Sequence, residues 1–498
     1  MINKISNIFI TLFKLFKESF VQYYKSLGSG LKGINTKSLI GQIAFDLAIC
    51  VAFSLFCTLR EGTIDLYMTV FLPMFVANIL IIVFCQAFKS SNLISVLTVV
   101  LLTTGTALQI FMLDPNDDAS LGEVYKYIVI ICFSIIVSIL TVPLLNIISN
   151  SKNSIKYIKV CVTILTVLLY FVLLIFGTTV NGARAWIYIG NTSFQITEIT
   201  KMLSMISFAI ILSDDTLHEK SKSIQALITL FIHAGFLVLI SELGTLLVIG
   251  LVYFIVKLIY VKDIKYFAKE IISVLLIGAL ALTACYGLYK LPEKSVSSNA
   301  VVEETVSGEN ETTDQKTEEL SILDKTMIRL KNIYPKIEKR TKSFLGMETS
   351  NGASEQRETA NKAFLHVSWI GTASYSLATL PEYNSDFVFT YLIVRLGAIG
   401  AFLVLLSFVA LLLKTYVIAL RSTKIHEAAI AIFFVSTIVF QATICFFINI
   451  GILPIIGLPF PFLANGGSTM LVNLLMIIFI IFFAREENNL SNEVKENV

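Results

Sequence analysis

The chain has 498 residues, 56% of them hydrophobic and 15% charged, and its 38 Lys and Arg against 35 Asp and Glu leave a net charge of +3. A mean hydropathy of +0.80 excludes an ordinary soluble domain, and so small a charge excludes a nucleic-acid binder. The seven cysteines (Cys50, Cys57, Cys85, Cys132, Cys161, Cys285 and Cys445) all lie in apolar runs without a CxxC pair, so neither a disulfide framework nor a zinc site is expected.

Residues 1–30 intersperse Lys4, Lys14, Lys17 and Lys25 among Ile5, Ile8, Phe9, Leu12, Phe13, Phe16 and Phe20. This predicts a basic amphipathic helix lying on an anionic leaflet. Its apolar run is too interrupted for a signal peptide. About twelve apolar segments of spanning length follow, at 39–59, 66–87, 93–113, 124–148, 157–177, 199–213, 223–240, 244–261, 268–290, 387–414, 425–449 and 467–484. The expected fold is therefore an all-α polytopic membrane protein.

Lysine and arginine set the expected orientation. With the N-terminus in the cytoplasm, the inner connections hold Lys89, Lys152, Lys156, Lys220, Lys222, Lys262, Lys265, Lys414, Arg421 and Lys424. The outer ones hold little beyond Arg60 and Arg184, and 114–123 carries Asp114, Asp117 and Asp118. The long hydrophilic loop 291–386 is then extracellular, and 485–498 is a cytoplasmic tail. Within the loop, 292–320 is rich in Ser, Thr and Glu and is expected to be a disordered acidic insertion. Residues 322–346 place Ile322, Met327, Leu330, Ile333 and Ile337 at helical spacing among Lys and Arg, which suits a helix on the outer leaflet.

Several polar residues sit where a membrane protein does not tolerate them idly. Arg184 and Trp186 lie just outside the fifth span, as interfacial anchors or as ligand contacts. Glu198 and Lys201 open the sixth, three apart and so on one helix face; they pair structurally or face a ligand. Glu242, in Ser241-Glu242-Leu243-Gly244-Thr245, is read as a solvated residue of an outer turn that the neighbouring glycine shapes. Asp46 and Arg395 are the other charges within or beside spans, and sequence names no partner for Asp46. Asp386 is the last polar residue before the tenth span, as a helix N-cap or as a partly desolvated general base. Between Gly451 and Ser468, Pro454, Pro459, Pro461 and four glycines interrupt the apolar run. Broken backbone at membrane depth is stable only inside protein or beside a water-filled cavity, so this stretch is expected to shape a cavity wall. No P-loop or dinucleotide fingerprint occurs.

Five motifs stand in a telling order. They are Asn181-Gly182-Ala183-Arg184-x-Trp186-Ile187, Phe194-Gln195-x-Thr197-Glu198-x-x-Lys201, Glu242-Leu243-Gly244-Thr245, Ser385-Asp386-Phe387-Val388-Phe389, and Gly451-x-Leu453-Pro454-x-x-Gly457-Leu458-Pro459-x-Pro461-Phe462-x-x-x-Gly466-Gly467-Ser468. Over roughly 95–484 the chain resembles the SEDS family (shape, elongation, division and sporulation; FtsW/RodA/SpoVE-like). The resemblance implies a ten-helix core at 93–290 and 387–484, with 39–90 as two extra N-terminal spans. It also implies a peptidoglycan glycosyltransferase that polymerises undecaprenyl-linked lipid II at the outer face of the bacterial cytoplasmic membrane, beside a class B penicillin-binding protein. On that basis Asp386 is the expected catalytic base. Arg184, Trp186, Glu198, Lys201, Glu242 and Arg395 are the expected substrate-binding residues. No cofactor is firmly implied, and Mg2+ or Mn2+ could hold the leaving pyrophosphate.

The sequence departs from the family at several motifs. Ile196-Thr197 replaces Pro-Ser, Ser241-Glu242 replaces Pro-Asp, and Val394-Arg395 stands where two acidic residues are usual. Ala464-Asn465 replaces a Ser-Tyr-type pair, and the glycine-rich loop segment has its nearest counterpart in 352–380, with His366, Trp369 and Gly371. A flippase for lipid-linked precursors and a catalytically weak scaffold recruiting a transpeptidase are the alternative functions.

Overall fold

A computed structural model describes residues 2–61, 64–112, 118–150, 154–180, 183–190, 192–260, 264–290, 352–371, 383–422 and 424–485, with 331, 334, 335, 338 and 342. The acidic insertion 292–320, most of 322–346 and all but the first residue of the tail 485–498 lie outside them, as do Asn181 and Gly182. Every predicted span overlies a helix: α2 (Thr36–Glu61), α3 (Ile64–Ala87), α4 (Asn92–Phe111), α5 (Asp118–Asn150), α6 (Ser154–Phe176), α7 (Ile196–Ser213), α8 (Glu219–Leu239), α9 (Leu243–Tyr260), α10 (Ile264–Lys290), α12 (Val388–Arg421), α13 (Ile425–Asn449) and α14 (Gly467–Phe483). α1 (Ile2–Lys32) precedes them, and α11 (Gly352–Phe364) lies in the long loop. Among the described residues eleven helices are long and apolar enough to cross a bilayer, and α14 is a shorter apolar helix. Apolar runs of this length become helices because only a helix satisfies its own backbone in lipid.

Burial separates centre from rim. In α4 and α7, 83% of the spanning window is buried, against 6% in α10. α7 packs against α6, α8, α9 and α13, while α14 lies along α5. The peripheral α10 is tied to α9 by an ion pair of Lys257 and Glu270, which Tyr253 joins through its hydroxyl, 3.2 Å from the Glu270 carboxylate. The second half of α1 is docked on the bundle. Ser19 Oγ donates to Pro143 O (2.8 Å), Tyr23 OH donates to Ile139 O (2.9 Å), and the Tyr23 ring stacks on Phe88. Lys14, Lys17, Lys25 and Lys32 remain exposed, as an amphipathic helix requires.

One feature is not helical. Between α6 and α7 the chain forms a three-stranded antiparallel sheet of β1 (Thr178–Val180), β2 (Ala183–Ile189) and β3 (Thr192–Gln195). The end of the bundle carrying this sheet is called the sheet end below, and the other the far end.

α12 is broken within its length. Gly397 takes φ 75°, ψ 179° about 14 Å from the helix start. The N–H groups of Ala398 and Ile399 donate instead to the carbonyls of Ser368 (3.0 Å) and Trp369 (3.2 Å), so the loop segment after α11 supplies the acceptors that the kink removes. Gly371, at φ +87°, passes so close that a Cβ there would lie 2.1 Å from Arg395 O. Two glycines far apart in sequence thus permit one backbone crossing.

Candidate functional site

The sheet presents the Arg-Trp motif on its middle strand. Trp186 is in register with Thr178 on β1 and Gln195 on β3. The Arg184 N–H donates to Ile240 O (2.9 Å), which pins the sheet to the turn between α8 and α9. Its guanidinium reaches back to the end of α6, where Nη2 donates to Ile175 O (3.1 Å). The turn is shaped as expected, but its left-handed residue is Ser241 (φ 60°) rather than the neighbouring glycine. Gly244 instead serves close packing, since a Cβ there would lie 3.1 Å from the Leu458 side chain. Glu242 is buried and not a solvated turn residue, and its Oε1 accepts from Thr245 Oγ1 (3.3 Å).

Asp386 lies in the turn before α12. The N-cap position falls on Phe387, so the reading of Asp386 as the cap is corrected by one residue. Asn449, at the last position of α13, holds this turn. Its Nδ2 donates to Asp386 O and to Cys445 O (both 2.8 Å), and its Oδ1 accepts from Thr390 N–H and Thr390 Oγ1 (both 2.9 Å). Asn449 therefore does what a cap does for α12, from another helix.

Four carbonyls of the interrupted stretch between α13 and α14 accept from side chains of the bundle. Gln441 Nε2 donates to Pro459 O (2.8 Å), Tyr127 OH to Phe462 O (2.9 Å) and Gln109 Nε2 to Leu463 O (3.1 Å), while Cys445 Sγ lies 3.2 Å from Leu458 O. Side chains of α4, α5 and α13 thus supply the donors that a helix would have supplied. Gly457 adopts φ +69°, and the nearest atom to a Cβ built there is Asp386 Oδ2, at 3.8 Å.

These segments enclose a cavity of about 300 Å³ at the sheet end. Trp186, Glu242 and Asp386 line it, with Gln195, Ser385, Gly457, Pro459, Asn465, Gly466 and Ser468. The wall contributed by 456–469 agrees with the reading of the proline–glycine stretch as scaffold. Arg184, Glu198, Lys201 and Arg395 are not among the lining residues. Glu198 and Lys201 are buried beneath the wall: Lys201 Nζ lies 2.7 Å from Glu198 Oε2 and donates to Gln441 Oε1 (2.7 Å), whose amide nitrogen then holds Pro459 O. The pair therefore touches the cavity through Gln441 and Pro459. Arg395 sits at the α12 kink, with its guanidinium 5.4 Å from the Tyr391 ring centroid. Sequence reasoning missed Asn449 and Gln441 and quoted Gln195 in a motif without giving it a role; the visible signal was an isolated amide in or beside each apolar run.

The FtsW/RodA/SpoVE family, described as cell cycle proteins, matches residues 92–296 and 368–489. The chain belongs to this family. The matched residues hold α4–α10 and α12–α14, and α1–α3 precede them. A probable peptidoglycan glycosyltransferase FtsW from Coxiella burnetii is 25% identical over 321 residues, covering 63% of this chain and 74% of that protein. Stage V sporulation protein E from Bacillus subtilis is 32% identical over 116 residues, covering 23% of this chain and 32% of that protein. Among solved structures, one described as structural coordination of polymerization and crosslinking by a peptidoglycan synthase complex superposes with a TM-score of 0.59 at 17% identity. It covers 80% of this chain and 98% of that one, a likeness of fold.

Proposed function

We propose that the chain is a peptidoglycan glycosyltransferase that polymerises lipid II, with Asp386 as general base. The observation that carries this is the convergence of Trp186, Glu242 and Asp386, from three separate segments, on one cavity at the sheet end. Lysine-rich connections cluster at the far end, which supports placing the cavity on the outer face, where the lipid-linked sugar is exposed. Glycosyl transfer needs a hydroxyl to attack an anomeric carbon as pyrophosphate departs. Asp386 accepts the hydroxyl proton. Trp186 offers an apolar face to a sugar ring. Arg184 and Arg395 stand outside the described lining and act on the diphosphate only if the substrate extends beyond it. Glu198 and Lys201 support the wall and do not bind substrate.

The donor set suits a hard divalent ion. Asp386 and Glu242, with the neutral oxygens of Ser385 and Ser468, are the ligand type that Mg2+ takes with substrate phosphates. When bound, such an ion would neutralise the leaving pyrophosphate. A class B penicillin-binding protein is the proposed partner, crosslinking the glycan product.

The test is polymerisation of purified lipid II by the purified chain, with and without the cognate penicillin-binding protein and Mg2+ or Mn2+. Glycan strands from wild type and none from a folded Asp386→Asn protein support the reading. Undiminished polymerisation by Asp386→Asn removes the base assignment. Transport of lipid II across vesicles without polymerisation would favour a flippase.

A further inference from the structure

A second polar cluster lies remote from the cavity. Asp46 on α2, Asn78 on α3 and Thr103 on α4 are each fully buried, at 0% exposure. They sit about 14–17 Å from the far ends of their helices, near the middle of an ~30 Å hydrocarbon core. Asn78 Nδ2 donates to Asp46 Oδ1 (2.9 Å) and to Thr103 Oγ1 (3.0 Å), so the amide has no further N–H to give. The flanking oxygens of that same bonded pair, Asp46 Oδ2 and Asn78 Oδ1, are buried without a hydrogen-bond partner.

The neighbouring helices offer no compensating charge. α4 carries no ionisable residue. Those of α3 are Asp65, Tyr67 and Cys85, at least about 10 Å along the axis from Asn78. Cys50, whose Sγ lies 3.7 Å from Asp46 Oδ1, is the titratable side chain in contact among the described residues. It is neutral as a thiol and worsens the charge as a thiolate. One carboxylate, two bare acceptor oxygens and no cation, at mid-membrane, make a site lacking one positive charge. A divalent ion would leave an excess charge in the bilayer.

We propose that Asp46, Asn78 and Thr103 form an intramembrane binding site for one monovalent cation, delivered as a sodium ion or a proton. The family match begins at residue 92, so α2 and α3 precede it and α4 lies within it. The bound charge fastens the N-terminal helix pair to the family core.

The test measures the melting temperature of the purified full chain in detergent while sodium replaces choline at constant ionic strength, at neutral and at alkaline pH. A sodium-dependent rise in wild type that is lost in Asp46→Asn identifies a sodium site. No sodium effect, with a protonated-carboxyl infrared band at neutral pH that is absent from Asp46→Asn and stability that falls as pH rises in wild type alone, identifies a proton site. Wild type responding to neither sodium nor pH, with no protonated-carboxyl band, overturns the proposal. Should Asp46→Asn not fold, Thr103→Val retains the carboxylate, and it is expected to shift the midpoint of whichever response wild type shows.

Discussion

Replacing Asn449 by leucine removes a single amide of nearly matched volume and puts two backbone groups at risk, one buried and one half-buried. The Thr390 N–H, in the first turn of α12, loses its acceptor, and the Asp386 carbonyl loses its donor. Cys445 O can still accept within its own helix, and the Thr390 hydroxyl can turn to a backbone carbonyl, so neither adds much. The buried Thr390 N–H left unsatisfied costs about 1–3 kcal/mol, and the half-buried Asp386 carbonyl adds less. Relaxation falls on the turn that carries Asp386. A displacement of the proposed base by about 1 Å lowers a rate on the order of 100-fold. Lipid II polymerisation should therefore fall by roughly that factor in Asn449→Leu, with a lowered melting temperature. Asn449→Asp keeps an acceptor for Thr390 but loses the donor to Asp386. Its buried carboxylate would face the Asp386 and Cys445 carbonyls, so it should recover neither stability nor activity. Polymerisation by Asn449→Leu within about twofold of wild type would refute the reasoning, because the turn would then hold Asp386 without help.

Two further expectations concern the scaffold. Lys201→Met leaves Glu198 buried without its cation and frees Gln441 from one side, so a loss of about 3–5 kcal/mol is expected in thermal or denaturant unfolding. The double variant Glu198→Gln/Lys201→Met should recover part of it; no recovery would show that the pair is not a coupled unit. Gly371→Ala places a methyl 2.1 Å from Arg395 O, a contact that backbone must move to relieve. Faster proteolysis of the loop beside α11 should follow, and protection equal to wild type would show that the crossing is not held this way.

The helices were legible and their irregularities were not. Most spans declared themselves by an apolar run as long as the bilayer requires, 199–213 being short of it, and α13 ends where the run meets Asn449 and Gly451. The sheet escaped notice because its strands are short and lie between two strong helical signals. Ala183 to Ile189 nonetheless alternates Arg184, Trp186 and Tyr188 against Ala185 and Ile187, the period of a strand. Asp386 was found from its place at a helix start, but its holder Asn449 is 63 residues away, and no local pattern joins them. The break in α12 was hidden for the same reason, since a glycine in an apolar helix is ordinary until its neighbour Gly371 is known. Spacing alone put Glu198 and Lys201 on one helix face and left pairing and ligand contact both open, while the ion pair and its depth beneath the cavity wall came only from packing.

The break in α12 bears on how the protein is made. Its second half begins with two N–H groups whose acceptors belong to Ser368 and Trp369, residues translated before the helix itself. A straight α12 would return those donors to the carbonyls of Val394 and Arg395, so the kinked state forms only against a loop that is already in place. Chain order makes this feasible: the ribosome releases the acceptors first, and the helix that needs them arrives afterwards.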